Sequence, residues 1–235
     1  MFGLHTRNLR GEVMDDPGLT AAHHRQALIG LRRLNRLSGA ARIVWRPIAQ
    51  LARQQHPAPL SVLDVGCGGG DVPIAIARRA ARKGLDLTVH ACDVSEQALA
   101  FAAQRAKGAG VDIAFHRHDV LREPIVGTYD VVMCSLLLHH MTGGDAVALL
   151  QRMAAAARRM VLVNDLRRST LGLLLCHVGM RLVTRSEVVH IDGPRSVRAA
   201  FTVPEARQLA QRAGLTGATV TRHWPQRYCL RWVRS

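Results

Sequence analysis

The sequence predicts an α/β protein built on a doubly wound, mostly parallel seven-stranded sheet. A helical cap over residues 1–57 precedes the sheet, and an antiparallel hairpin closes its C-terminal edge. Two observations carry this expectation. Between residues 60 and 165, short apolar runs of strand length alternate with segments of helical periodicity, the pattern of parallel strands joined by helical crossovers. After Asp165 the alternation stops, and the chain ends in two β-like runs joined through Trp224-Pro225-Gln226.

Residues 1–19 are polar, with Asp15-Asp16-Pro17-Gly18 as a turn. Leu28, Leu31, Leu34 and Leu37 follow at helical spacing until Gly39 stops them, and a second helix is expected over 40–54. Pro57-Ala58-Pro59 is a rigid joint to the domain over 58–235. Residues 60–65 read as a buried strand, 66–70 as a tight turn, and 73–80 as a helix with proline in its first turn. Further strands are expected at 85–92, 113–118, 129–135 and 160–165, with helices at 95–107, where Ser95 is the cap, and 144–159. Beyond them, 170–184 reads as an apolar helix and 185–200 as a basic loop around Gly193-Pro194. Thr202-Val203-Pro204-Glu205 is a capping box opening a helix that ends at Gly214, and the hairpin strands fall at 218–223 and 227–233.

A chain of 235 residues with 48% hydrophobic content builds a packed core, which excludes collagen-like and wholly disordered classes. The formal charge of +15 is uneven: residues 1–60 carry +6, 61–165 none and 166–235 +9. An anionic partner is therefore expected at the flanks, while the neutral middle does something else. All basic residues except Lys83 and Lys107 are Arg, and three Trp, two Tyr and four Phe leave few rings to stack on bases. A nucleic-acid partner is disfavoured. Cysteines 67, 92, 134, 176 and 229 form no C-x-x-C pair, and their odd number cannot close as disulfides, which fits a reducing cytoplasm. No charged start leads into an apolar run, so no export signal is read. The longest apolar stretch, 171–183, is broken by His177 and Arg181 and falls short of the roughly 20 residues of a membrane span.

The strongest chemical signal is Leu63-Asp64-Val65-Gly66-Cys67-Gly68-Gly69-Gly70 at a strand-to-helix turn. Glycines let the main chain turn sharply and let a ligand approach it closely. Alone this is weak evidence, since dinucleotide enzymes use such a turn as well. Here Asp64 precedes the glycines, and Asp93 ends the second strand, where a carboxylate accepts two hydrogen bonds from a ribose diol. Asp119, in His118-Asp119-Val120 after the third strand, can accept from an adenine amino group. Three carboxylates thus meet along the crevice in which open α/β sheets bind ligands.

With these elements in order over residues 60–165, the chain resembles the class I S-adenosylmethionine-dependent methyltransferases. The resemblance implies their Rossmann-like fold and S-adenosylmethionine as cofactor. It assigns the methionine end of the cofactor to Asp64, Gly66, Cys67, Gly68 and Gly70, and the ribose to Asp93. Adenine falls to Asp119, with Val94 and Val120 as apolar walls, and the cofactor's amino group to Cys134 and Ser135. A NAD enzyme is disfavoured: the turn lacks the G-x-G-x-x-G spacing, and Asp64 and Asp71 would repel a pyrophosphate. More narrowly, Glu12-Val13-Met14-Asp15-Asp16, Leu34-Asn35-Arg36 and Val163-Asn164-Asp165-Leu166 are similar to small-molecule methyltransferases of the ubiquinone/menaquinone-biosynthesis type, including bacterial ones found with polyketide pathways. N-terminal helices in such proteins cover the cofactor and shape the acceptor pocket, a role that would fall to Met14, Asp15 and Asn35.

The implied acceptor is small and largely apolar, first the hydroxyl of a phenolic, polyketide-derived or quinone-type ring, with a ring carbon as the nearest variant. The sulfonium methyl is already electrophilic, so the protein has to align the acceptor and exclude water. A phenol also has to lose its proton. His140, just past the fourth strand, is the first candidate base, with His139 and His190 behind it. Asp165 would orient the base or bind the acceptor, unless it only bonds nearby backbone. Residues 166–203 read as an acceptor-side lid whose Arg185, Arg195 and Arg198 meet a carboxylate, a phosphopantetheine or a carrier protein. A homodimer surface, peripheral contact with anionic lipid, and plain packing are the other readings of that segment. His116 and His118 share a strand face, but no second cluster completes a zinc site, so no metal is expected. An RNA methyltransferase, which the basic flanks favour but for which Asn164-Asp165 lacks a D/N-P-P-Y/F-like motif, and an inactive cofactor-binding scaffold are the alternatives.

Overall fold

The computed structural model describes residues 4–16, 18–55 and 57–234, so Pro17 of the expected turn lies outside them. Its strands are β1 (Leu60–Val65), β2 (Leu87–Asp93), β3 (Ala114–Arg117), β4 (Tyr129–Ser135), β5 (Ala157–Leu166), β6 (Thr219–His223) and β7 (Arg227–Val233). They form one sheet in the order β3-β2-β1-β4-β5-β7-β6. The first five run parallel, and the β6–β7 hairpin adds antiparallel to β5, with Leu166 opposite Arg227. Because β1 pairs with both β2 and β4, the winding direction reverses beside it. That reversal opens a crevice at the strand C-termini.

The helices are α1 (Ala21–Leu37), α2 (Ala40–Gln55), α3 (Asp71–Arg82), α4 (Glu96–Gly108), α5 (Gly143–Ala156), α6 (Thr170–Val183), α7 (Glu187–Ala199) and α8 (Val203–Arg212). Alternate strand residues feed two cores. Val132, Cys134, Val161 and Val163 pack with Leu149, Leu150 and Met153 of α5 and Leu209 of α8. Val131, Met133, Met160 and Leu162 pack with Ile43, Val44 and Ile48 of α2 and Ile74 and Ile76 of α3. This is the period-two signature of a sheet buried on both faces.

Three expectations are corrected. Helix α2, read as cap, is a layer of the sheet's core, because Ile43, Val44 and Ile48 recur on one helical face. The expected basic loop over 185–200 is mostly α7: Ser186 accepts the N–H of Val189 as cap, and Gly193 packs flush on α6, where a Cβ would fall 1.6 Å from Met180 Cε. Glycine read as a breaker is here a contact point. Finally, α5 stops at Ala156 and β5 starts at Ala157, three residues early, and from this extended backbone Arg158 reaches Asp130 at 3.1 Å. No helix among the described residues is long and apolar enough to cross a membrane.

Candidate active site

Between β1 and α3 the main chain bends through Gly66, Gly68 and Gly70, all at positive φ (+66°, +50° and +73°). A Cβ at Gly66 would fall 2.8 Å from Leu137, and one at Gly70 would fall 2.9 Å from Ala102, whereas one at Gly68 would meet nothing within 4 Å. The loop is therefore packed at both ends and open at its middle. Arg105 of α4 clamps it, donating to the Gly69 carbonyl and pairing with Asp71 at 2.5 Å.

The loop, through Gly66, Cys67 and Gly68, forms one wall of a cleft of about 680 Å³, which Asp64, Asp93, Val94, Asp119, Val120 and Ser135 also line. The three carboxylates are thus brought together. Gly70 and Cys134 do not face the cleft; Gly70 caps α3 and Cys134 is buried in the sheet core. His118 lines the cleft just beyond the end of β3, with Nδ1 3.7 Å from Glu123, while His116 is exposed on the strand.

The donor set fits S-adenosylmethionine. Asp64 is 1% exposed, and its Oδ1 is buried without a hydrogen-bond partner. Burial first, and the charge of Asp93 second, hold its carboxyl well above the ordinary aspartate range. An orphaned buried carboxyl oxygen beside an open glycine loop suits a cationic group such as the cofactor's ammonium. Asp93 accepts from Gly68 N–H at 2.7 Å and from Ser95 N–H at 2.9 Å, one bond to each oxygen. Its orientation is fixed, and each oxygen keeps capacity for a ribose hydroxyl. Asp119 accepts from Leu121 N–H at 3.0 Å at the far lip.

A second cavity of about 220 Å³ lies against the first, bounded by α1, α6, α7 and the turn before β7. Leu34, Leu175, Met180 and Val188 make it apolar, and Glu12, Met14, Leu31, Asn35, Leu136 and His140 belong to the walls of both cavities. The side chain of Asp15 lies outside the described residues. Of the lid arginines, Arg185, Arg195 and Arg198 do not face this cavity; Arg195 donates to the Gly11 carbonyl and Arg198 to that of Pro194. Arg167 and Arg227 face it instead.

Where the cavities meet stands a buried histidine cluster that sequence reasoning divided differently. His139 is 4% exposed, with Nδ1 2.7 Å from Asp165 and Nε2 3.7 Å from Glu12. Burial resists charge on this ring, but Asp165 and Glu12 outweigh it and push its pKa up to about 10. Burial likewise resists charge on Glu12, yet His139, His140 and Ser196 bring its pKa down to about 2. Asp165 accepts from the backbone N–H groups of His139 and Leu166 as well as the ring, and faces neither cavity. It therefore orients His139, not the acceptor. His140 does face both cavities, with Nε2 3.9 Å from Glu12. His190 does not; its Nε2 sits 2.8 Å from the Thr184 carbonyl in the α6–α7 turn, which takes it out of the candidate bases. Glu12 was legible only as part of a resemblance, because nothing in its spacing connects it to residues about 130 positions away.

A doubly wound sheet with a carboxylate-flanked glycine loop at its reversal point is the arrangement that holds a nucleoside cofactor, and the adjoining cavity gives a second ligand a place beside it. Residues 62–159 match the methyltransferase domain family. A ubiquinone biosynthesis O-methyltransferase of Sodalis glossinidius (strain morsitans) is 28% identical over 193 residues, 74% of each chain. One of Pseudomonas entomophila (strain L48) is 29% identical over 126 residues, 53% of this chain and 52% of that one. Magnesium protoporphyrin IX methyltransferase from Synechocystis PCC 6803, crystallised with bound SAH, superposes with a TM-score of 0.60 at 20% identity, over 94% of this chain and 91% of that one. Residues 62–159 are thus similar to a methyltransferase domain, and the fold is shared with a methyltransferase crystallised with SAH.

Proposed function

We propose that the enzyme methylates the hydroxyl of a small, largely apolar ring compound bound in the second cavity, with His140 as the base. The observation that carries this reading is the shared wall: an apolar cavity opens onto the cofactor cleft, and His140 belongs to both. The relatives whose names specify O-methylation in ubiquinone biosynthesis support the same class of acceptor. The bound cofactor supplies an electrophilic methyl group. The chain's residues do the rest: α1, α6 and α7 enclose the acceptor and keep water out, and His140 takes the hydroxyl proton. Glu12 faces both histidines and stabilises positive charge on His140 as it forms. Release of S-adenosylhomocysteine on phenolic acceptors tests this. Silence on them with methyl transfer to transfer RNA overturns it, and cofactor binding without turnover on any acceptor favours the scaffold.

His140→Ala is expected to lower kcat by about 10²- to 10⁴-fold while leaving cofactor affinity unchanged. Unchanged turnover removes His140 from the mechanism. Because ligating atoms of Glu12, His139 and His140 lie within 4.8 Å of one another, the same assay is run with a chelator. Proton transfer predicts no effect, whereas a loss reversed by a divalent cation assigns the cluster to metal.

Cofactor binding is also expected to release a proton. The raised carboxyl of Asp64 ionises when a cation arrives, so affinity falls as the solution is acidified. Calorimetry in two buffers of different ionisation enthalpy measures the proton; identical heats contradict the assignment of Asp64.

A further inference from the structure

Arg227, the first residue of β7, is a buried cation in the wall of an apolar cavity with no ion-pair partner in contact among the described residues, Asp165 acting on it only at longer range. Its residue is 3% exposed, and of its guanidinium nitrogens only Nη2 has partners, Ser38 Oγ at 2.7 Å and Asn35 Oδ1 at 3.2 Å, both neutral. Nε and Nη1 are buried without any hydrogen-bond partner. Among the described residues no carboxylate oxygen lies within 4 Å of it. The carboxylates in or near this cavity are otherwise engaged. Glu12 faces the two histidines and Ser196, Asp192 accepts from Val13 and Met14 N–H and faces Arg195, and Asp165 is taken up by His139.

A buried guanidinium with two nitrogens, and so three N–H groups, unmet is costly unless something supplies the acceptors. Arg167, which faces the same cavity, also has its Nε buried without a partner. His140 and Leu136 are shared with the cofactor cleft. The cavity thus carries two arginines in a largely apolar wall, and Arg227 touches Asn35, a residue of the wall shared with the cofactor cleft.

We infer that the acceptor carries an anionic oxygen group, a carboxylate or an acidic enol, besides its reacting hydroxyl, and that Arg227 receives that group. The inference rests on the reading of this cavity as the acceptor site and adds to it the acceptor's charge. Planar, bidentate recognition of a carboxylate is what an arginine fork provides and a lysine does not. Asn35 extends the arrangement: it accepts from Arg227 and donates to Asp71 beside the glycine loop at 3.3 Å, so one residue of α1 ties the anion site to the cofactor cleft.

The test uses the whole chain loaded with S-adenosylhomocysteine and two ligands of equal shape. One is a hydroxynaphthoate with hydroxyl and carboxylate at opposite ends of the ring system; the other is the matching hydroxynaphthamide. Calorimetry is expected to give about tenfold or tighter binding of the acid over the amide. In Arg227→Gln the preference falls to near parity, and in Arg227→Lys it is only partly kept. Affinity for S-adenosylhomocysteine, measured on each variant, serves as the check that the fold persists. The wild-type ratio alone decides the matter if a variant fails to fold. Equal binding of acid and amide overturns the inference, as does a preference that survives in Arg227→Gln. If turnover occurs on neutral phenols but not on any acid, the acceptor cavity stands and the anion site falls. If neither ligand binds and no ring hydroxyl is methylated, the reading of the cavity fails as well.

Discussion

Asp165→Asn is expected to cost the fold about 3–5 kcal/mol, measured as the shift in urea midpoint at unchanged slope. The size follows from what remains. His139 is buried and carries positive charge against Asp165 at 2.7 Å, and asparagine keeps the shape while removing the countercharge. Glu12, at 3.7 Å, then faces the ring alone. His139→Leu in the same background should restore part of the loss, since it removes the buried ring charge that an asparagine at position 165 cannot pair, while Glu12 keeps His140 and Ser196. A single-variant cost below about 1 kcal/mol would mean that the ring is neutral in the folded protein. The pH dependence checks the same assignment. Glu12 is lowered from 4.5 to about 2, so its contribution is complete above pH 4.5 and is lost as pH falls through about 2. His139 is raised from 6.5 to about 10, so its contribution is complete below pH 6.5 and is lost as pH rises through about 10. The cluster's contribution should be level between those two ordinary values and decline on both sides.

The cofactor half of this protein could be read from the chain because its chemistry sits in short segments. Asp64 and the glycines are nearly contiguous, Asp93 ends β2, and Asp119 lies two residues past the end of β3, which pairs with β2. A crevice at strand ends collects such residues whatever the loops do. The assignments that moved were those decided by packing. Cys134 and Ser135 are adjacent in a strand, so their side chains take opposite faces; one enters the core and the other the cleft.

The acceptor side was poorly legible for the opposite reason. Glu12, His140 and Arg227 come from the N-terminal segment, the loop after β4 and the last strand, and only tertiary contacts join them. Basic residues were expected to act from a loop over 181–198, but from Glu187 onward that stretch is helix α7, and Arg185, Arg195 and Arg198 do not face the cavity. His139 and His140 are equivalent in sequence, yet His139 is tied to Asp165 and lines only the second cavity, whereas His140 lines both. No spacing rule distinguishes them, because the choice is made by which ring β5 meets.

Asp93→Ala is expected to weaken cofactor binding by about 100-fold or more. Two hydrogen bonds from a ribose diol to a charged carboxylate are worth about 1.5–3 kcal/mol each, and the lower figure for both already exceeds that ratio. Stability should change far less, because the carboxylate is half-buried and water can reach the Gly68 and Ser95 N–H groups it releases. Asp119→Ala should cost only about tenfold, since one acceptor at the outer lip is lost where Leu121 N–H and Arg122 already compete for it. Titration of each variant with S-adenosylhomocysteine gives the order, and equal losses at the two positions would mean that the ribose is held elsewhere. The substitution at Asp93 carries a second consequence. Its charge helps hold the Asp64 carboxyl up, so in Asp93→Ala that carboxyl ionises more readily before the cofactor arrives, and the proton released on binding should shrink. Affinity and proton release therefore fall together at Asp93, whereas at Asp119 affinity falls alone.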